Sequence, residues 1–434
     1  MQAEEKPVDE AARTEAGRSR LARRLGTGDA VVIGLGSMIG AGVFAALGPA
    51  AAAGAIGLLV GLGIAGAVAF LNATSSAQLA AVYPASGGTY VYGRERLGSF
   101  WGYLAGWGFV VGKLASLTAM ALTFAFYAAP SLGRPLAAAA VVVLTAVNYR
   151  GIDKTAGLTR VLVAAVLTAL AVVVVASLFG GEPRSDQLTA EWEETSVRAV
   201  LEAAGLLFFA FAGYARIATL GEEVRDPDRT IPRAIPLALG ITLVVYAVVA
   251  ASVLLAIGAE AMAGSNAPLA DAVRAGDLSS LAAIVRAGAA LAALSVLLSL
   301  LAGVSRTAFA MAEEGDLPRW FAAVHPRFKV PHHAELVIGA IVAVTAVSVD
   351  LRSAIGFSSF TVLLYYAITN VAAFTLPPEQ RRWPRGLAAL GAIGCVLLAF
   401  TLPLESVLAG AGVFVVGGSL YALRHRSRTD LPDG

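Results

Sequence analysis

Residues 34–44 read Gly34-Leu35-Gly36-Ser37-Met38-Ile39-Gly40-Ala41-Gly42-Val43-Phe44, in the middle of an apolar run over 29–52. Four glycines fall within nine residues, and each costs about 1 kcal/mol against alanine inside a helix. Two readings of this cluster stay open. Small residues let helices pack closely, or the segment is unwound, which at membrane depth is tolerated only where backbone lines a cavity. In the second case the amides of Gly40, Ala41 and Gly42, at the start of a half-helix, form a site for an anionic group such as a carboxylate. A dinucleotide fingerprint would need glycine at Ile39 and a preceding strand, and neither is present.

The composition around this stretch decides its setting. Of 434 residues, 57% are hydrophobic and 14% charged, and the mean hydropathy is +0.74. A soluble domain carries about 25% charged residues, so a soluble enzyme, a nucleic-acid binder and a disordered scaffold are excluded as first readings. A net charge of +2 gives no reason to expect a polyanionic partner. Cys395 is the one cysteine, so no disulfide framework and no cysteine metal site is expected. The fold class is an all-α polytopic membrane protein.

Twelve spans are expected, near 29–52, 55–82, 99–129, 134–149, 156–179, 197–221, 231–258, 280–312, 333–349, 353–376, 385–403 and 405–423. With the N-terminus inside, 23 Lys and Arg fall in cytoplasmic tails and loops and 6 in external loops. Basic loops resist translocation, so residues 1–28 and 424–434 are expected to be cytoplasmic tails of a cell (inner) membrane protein. The 1–28 segment, mixed in charge and ending in a basic anchor, is not expected to be a cleaved signal. The loops are expected to carry little else. His325, His332, His333 and His425 fall on the cytoplasmic side without a carboxylate at ligand spacing, so no metal site is expected there.

A second span departs from an ordinary apolar helix. Leu206-Leu207-Phe208-Phe209-Ala210-Phe211-Ala212-Gly213-Tyr214-Ala215-Arg216 sets a glycine among aromatics, with an arginine nearly one turn on. Five spans separate it from the first cluster, so the two run in opposite directions. Two broken helices in matching positions of inverted halves point to the binding site of a secondary transporter. Carbonyls of Phe209, Ala210 and Ala212 could receive an ammonium while Gly40 to Gly42 receive a carboxylate, which suits an α-amino acid.

The motifs resemble those of the amino acid–polyamine–organocation (APC) superfamily of amino acid permeases. Gly36 to Phe44 is similar to its first-helix motif, and Ala85-Ser86-Gly87-Gly88-Thr89-Tyr90-Val91-Tyr92 to its loop after helix two. Phe208 to Tyr214, Glu222-Glu223-Val224-Arg225-Asp226-Pro227 and Ile231-Pro232-Arg233-Ala234-Ile235 resemble its sixth helix and following loop. Ser305-Arg306, Ala310-Met311-Ala312, Gly315-Asp316-Leu317-Pro318 and His325-Pro326-Arg327 resemble its loop after helix eight. The resemblance implies a leucine-transporter-like fold working by alternating access. Its inverted five-helix repeats would occupy 29–179 and 197–376, with two further helices in 385–423. It also implies that helix-one amides hold the substrate carboxylate and helix-one and helix-six carbonyls its amine. Those roles carry onto Met38, Gly40, Ala41, Gly42, Phe209, Ala210 and Ala212.

Ionisable groups inside spans are functional candidates. Lys113 lies deep in the third span, where desolvation disfavours an ammonium, so it is the candidate for proton exchange; a structural lysine paired with a carbonyl or with Glu202 is the alternative. Proton-coupled relatives place such a lysine in helix five, where this chain has Val166. Ser295 and Ser299, one turn apart on helix eight, are cation-site candidates by the same resemblance, although helix–helix hydrogen bonding explains them equally well. Arg216 and Glu223, two turns apart, are gate candidates. Phe44, Phe211 and Tyr214, with Phe209, are expected to wall the substrate side chain, which favours neutral apolar amino acids.

The expected function is therefore secondary active amino acid transport, not enzymatic catalysis. The proton gradient is the expected energy source, with sodium less favoured and no cofactor or metal. The expected partners are an amino acid and the lipid bilayer, without nucleic acid, in a monomer or homodimer. An exchanger or polyamine transporter of the same fold, and a membrane sensor or channel, are the alternatives.

Overall fold

The computed structural model describes residues 25–40, 42–83, 87–151, 156–188, 195–218 and 224–429. Among them the chain is helical, with one isolated parallel bridge between Leu25 and Val224. The helices are α1 (Thr27–Met38), α2 (Gly42–Gly54), α3 (Leu58–Val82), α4 (Thr89–Leu97), α5 (Ser99–Ala128), α6 (Gly133–Tyr149), α7 (Ala156–Phe179) and α8 (Val197–Phe211). They continue as α9 (Ala215–Ala218), α10 (Pro227–Gly264), α11 (Pro268–Arg274), α12 (Ala282–Glu313), α13 (His332–Ser348), α14 (Leu351–Phe374), α15 (Arg385–Thr401) and α16 (Leu404–Thr429).

Within the described residues each expected span falls on helix, the first on α1 and α2 and the sixth on α8, a 3-10 turn and α9. Eight helices are long and apolar enough to cross a bilayer, and α1 with α2, bent by 45°, makes a ninth candidate. The apolar helices α6, α13 and α15 have 17 residues each, about 26 Å against a hydrocarbon core of about 30 Å. The chain is an integral membrane protein.

Two groups of helices pack within themselves. In one, α3 and α2 lie on α8, and α10 lies on α1, α2 and α3. In the other, α5 packs on α12 and α6, and α13 on α6. The helix α14 joins them, lying on both α5 and α3. Apolar helices gain little from lipid on contact, so polar pairs help to fix their register. Asn370 donates to Asn72 at 2.6 Å, and the hydroxyl pairs Ser116–Ser358 and Thr118–Thr345 are each 2.6 Å apart.

Two loops carry more structure than their polarity suggested. The short α4 folds back on α5 through Gly98 (φ 99°), with Gly93 and Gly102 in backbone contact. The seven-residue α11 buries Leu269, Ala270 and Val273 completely against α10, α12 and α7. Neither helix is long enough to show a period in the sequence.

Candidate functional site

Helical bonding in α1 runs through Ser37, whose hydroxyl donates to the Ile33 carbonyl (3.0 Å), and ends with Ile39 N–H donating to Leu35 (2.7 Å). The chain turns at Ile39–Gly40 and resumes as α2 from Gly42. Ala41, an expected amide donor, lies outside the described residues. In the sixth span α8 ends at Phe211, Ala212–Tyr214 form a 3-10 turn, and α9 follows. The first span is bent by 45° between α1 and α2, while the sixth tightens to a 3-10 turn at Gly213 and continues as one span over Val197–Ile217.

The interruptions touch. A Cβ on Gly42 would come within 2.6 Å of the Ala210 Cα, and one on Gly213 would overlap the Ser37 carbonyl. Gly40 seats Val296 of α12 and Gly36 seats Val163 of α7, with a Cβ reaching 2.5 and 2.8 Å. Close packing and unwinding, separate readings of the glycine cluster, occur together. Each glycine admits a different neighbour.

The carbonyls freed by the breaks receive tyrosine hydroxyls. Tyr246 of α10 donates to the Met38 carbonyl at 2.6 Å and lies 3.1 Å from the Ala210 carbonyl. Tyr366 of α14 reaches the Ala212 carbonyl at 3.4 Å. Phe209 differs: its carbonyl accepts Ala212 N–H within the 3-10 turn. The sequence reading missed Tyr246 and Tyr366. Their signal was a phenol in an apolar span, alone for Tyr246 and beside Tyr365 for Tyr366, since a buried hydroxyl needs a partner.

Phe44, Phe211 and Tyr214 are fully buried beside the breaks. Their rings lie 5.6, 5.3 and 5.2 Å from those of Tyr127, Tyr246 and Tyr366 respectively. Gly40, Ser295 and Val166 meet at one cavity of about 320 Å³, part of it open, between α1, α7 and α12. Among the described residues no ionisable side chain lines it. Ser299 is exposed, its hydroxyl donating back to the Ser295 carbonyl (3.0 Å).

Lys113 holds its ammonium 5.9 Å from the ring centroid of Phe109. Glu202, weighed as its partner, is instead ion-paired with Arg352 at 3.1 Å. That pair ties the start of α8 to the start of α14. Arg216 is exposed on α9, while its expected gate partner Glu223 lies outside the described residues.

The amino acid permease family profile matches residues 29–404, which contain both broken helices. This chain belongs to the amino acid permease family. The permease is 62% identical over 404 residues to uncharacterized transporters of Mycobacterium tuberculosis and Mycobacterium bovis, covering 93% of this chain and 92% of theirs. It is 24% identical over 459 residues to the branched-chain amino acid permease of Bacillus subtilis, with 98% of each covered. It is 27% identical over 381 residues to cationic amino acid transporter 4 of Homo sapiens, covering 82% of this chain and 60% of that one. The permease is thus a membrane transporter.

Proposed function

We propose that this permease takes up neutral apolar amino acids across the cell membrane by alternating access, driven by protons. The observation that carries this reading is the contact of two interrupted helices through Gly42–Ala210 and Gly213–Ser37. In this reading the Met38, Ala210 and Ala212 carbonyls receive the ammonium, and Gly40 and Gly42 at the start of α2 receive the carboxylate. Twelve spans, with inverted repeats over 29–179 and 197–376 and both termini cytoplasmic, are part of the proposal.

The neutral substrate is supported by the branched-chain relative, and Phe44, Phe211 and Tyr214, fully buried beside the breaks, are its proposed wall. Sodium is disfavoured because it wants several oxygen ligands, and the cavity beside Gly40 offers the side-chain hydroxyls of Thr159 and Ser295 against Val163 and Val166. Lys113 is the proposed proton carrier. A second reading, exchange without protons, is favoured by the described lining of that cavity, in which Thr159 and Ser295 are the polar side chains and the rest are apolar.

Thermal-shift screening of the purified protein against the twenty amino acids identifies the substrate, because a ligand that binds the folded state raises its apparent stability. Leucine uptake into proteoliposomes then tests coupling. An inside-alkaline gradient is expected to drive accumulation, and Lys113→Met to abolish accumulation while sparing counterflow. Equal uptake with and without the gradient would establish the exchange reading.

A further inference from the structure

The loop from α12 to α13 closes on itself between His325 and Val330. His325 N–H donates to the Val330 carbonyl (2.9 Å) and Lys329 N–H to the His325 carbonyl (3.0 Å), with Lys329 at φ 57°. Two more backbone donors, the N–H groups of Arg327 and Phe328, converge on one atom, His325 Nδ1, at 3.2 and 3.1 Å. A ring nitrogen accepts only when it carries no proton. The neutral ring therefore keeps its proton on Nε2. An imidazolium is a donor at both nitrogens, so a second proton would set a donor against two donors and release the Arg327 and Phe328 amides.

Charged and aromatic groups surround this ring. On the loop, Arg327 and Lys329 flank His325, and Arg327 lies over the Phe328 ring at 5.4 Å. From α13, the ring of His332 stands 5.4 Å from that of His325, and His333 stands 4.1 Å from His332 and stacks on Trp320. Burial first, then His333 and His325, hold the His332 imidazole below its usual range. Glu335 lies one turn further into α13 and is buried. From α6, Tyr149 packs edge-on at 5.2 Å, with Arg150 next to it in sequence. Among the described residues no carboxylate is ion-paired with His325.

The same loop is tied to α4. At its start Asp316 accepts from Tyr90 (2.7 Å) and Arg94 (2.6 Å) of α4, the helix that joins α3 of one packing group to α5 of the other. Its helix α12 lines the cavity at Gly40 through Ser295.

We infer that His325 is a proton-operated catch on this loop: neutral, it holds the Arg327 and Phe328 amides and permits transport; protonated, it releases them and slows the carrier. In the orientation proposed above it faces the cytoplasm, where it would restrain uptake as protons accumulate. This rests on the transport reading for its consequence but not for the switch itself.

The experiment therefore has two readouts. The first is hydrogen exchange of the Arg327 and Phe328 amides in the purified permease, which needs no substrate. Protection is expected to fall between pH 7.5 and 5.5 in the wild type and to stay level in His325→Asn, whose amide oxygen accepts in place of Nδ1 but does not titrate. The second is leucine counterflow at equal pH on both sides, which removes any gradient. Its rate is expected to fall about three- to tenfold over the same window, the population shift that one ordinary hydrogen bond commands. His325→Asn is expected to remain fast and His325→Phe to be slow at both pH values. An acid loss of protection in His325→Asn equal to the wild type would overturn the switch. A switch that operates in exchange while counterflow keeps the same pH profile in both proteins would overturn its control of transport. Absence of leucine counterflow at every pH would count against the transport reading alone.

Discussion

The hydroxyl of Tyr246 donates to the Met38 carbonyl at 2.6 Å and stands 3.1 Å from the Ala210 carbonyl, so a single phenol spans both interrupted helices. A hydroxyl has one proton to give, and it serves two freed acceptors. Tyr246→Phe leaves both unmet, at a cost of about 1–3 kcal/mol. An amino acid ammonium, with three donors, can supply what the variant lacks. The variant is therefore expected to melt earlier than wild type when empty and to show a larger stabilisation by leucine. Melting curves with and without leucine check this; equal ligand shifts would mean that the ammonium does not use these carbonyls.

Gly213 is required by contact rather than by conformation. A Cβ there would overlap the Ser37 carbonyl, part of the backbone, which has no rotamer to yield. Overpacking against a fixed neighbour costs about 1–3 kcal/mol or more, and here it would part α1 from the 3-10 turn. Gly213→Ala is expected to lose transport. Gly240 on α10 has nothing within 4 Å of its would-be Cβ, so Gly240→Ala is expected to gain about 0.5–1 kcal/mol and keep full transport. Uptake and melting temperature of the pair separate the effects.

The breaks were legible because four glycines in nine residues have a local energetic cost that composition reveals. The break lay half a turn later than the centre of that cluster, because Ser37 keeps its hydroxyl bonded to Ile33 and stays helical. Tyr246 and Tyr366 were not legible as site residues, since each finds its carbonyl on a distant span. Lys113 and Glu202 were paired on charge alone; the position of Arg352 at the start of α14, which claims Glu202, is tertiary information. The helices α4 and α11, of nine and seven residues, are too short for a periodic signal. Their order comes from what they touch.

The Asp316 side chain is 10% exposed, while that of Glu314, the other acid on Arg94, is 58% exposed. Burial and the bond to Asp316 hold the Tyr90 phenol protonated, well above its ordinary range, which keeps it a donor. Removing one member of such a buried cluster strands the others. Asp316→Ala is expected to cost about 3–5 kcal/mol and Glu314→Ala no more than about 1 kcal/mol. Comparable melting shifts for the two variants would show that Asp316 is not the anchor of α4.

Asp350 caps α14, accepting the Ser353 N–H at 3.0 Å and its hydroxyl at 2.6 Å. Burial pushes its carboxyl up, but the bonds from the Ser353 hydroxyl and the backbone outweigh it, so the group sits below its ordinary value. A depressed acid binds fewer protons folded than unfolded. Its stabilisation is thus present above the unfolded value near pH 4 and lost as pH falls through the lower folded value. The permease is expected to lose stability below about pH 4, and Asp350→Asn, which caps without titrating, to lose less over that interval. Asp350→Ala should cost about 1 kcal/mol at neutral pH. Melting curves from pH 3 to 7 decide it: an acid limb of equal slope in Asp350→Asn would assign the loss to other carboxylates.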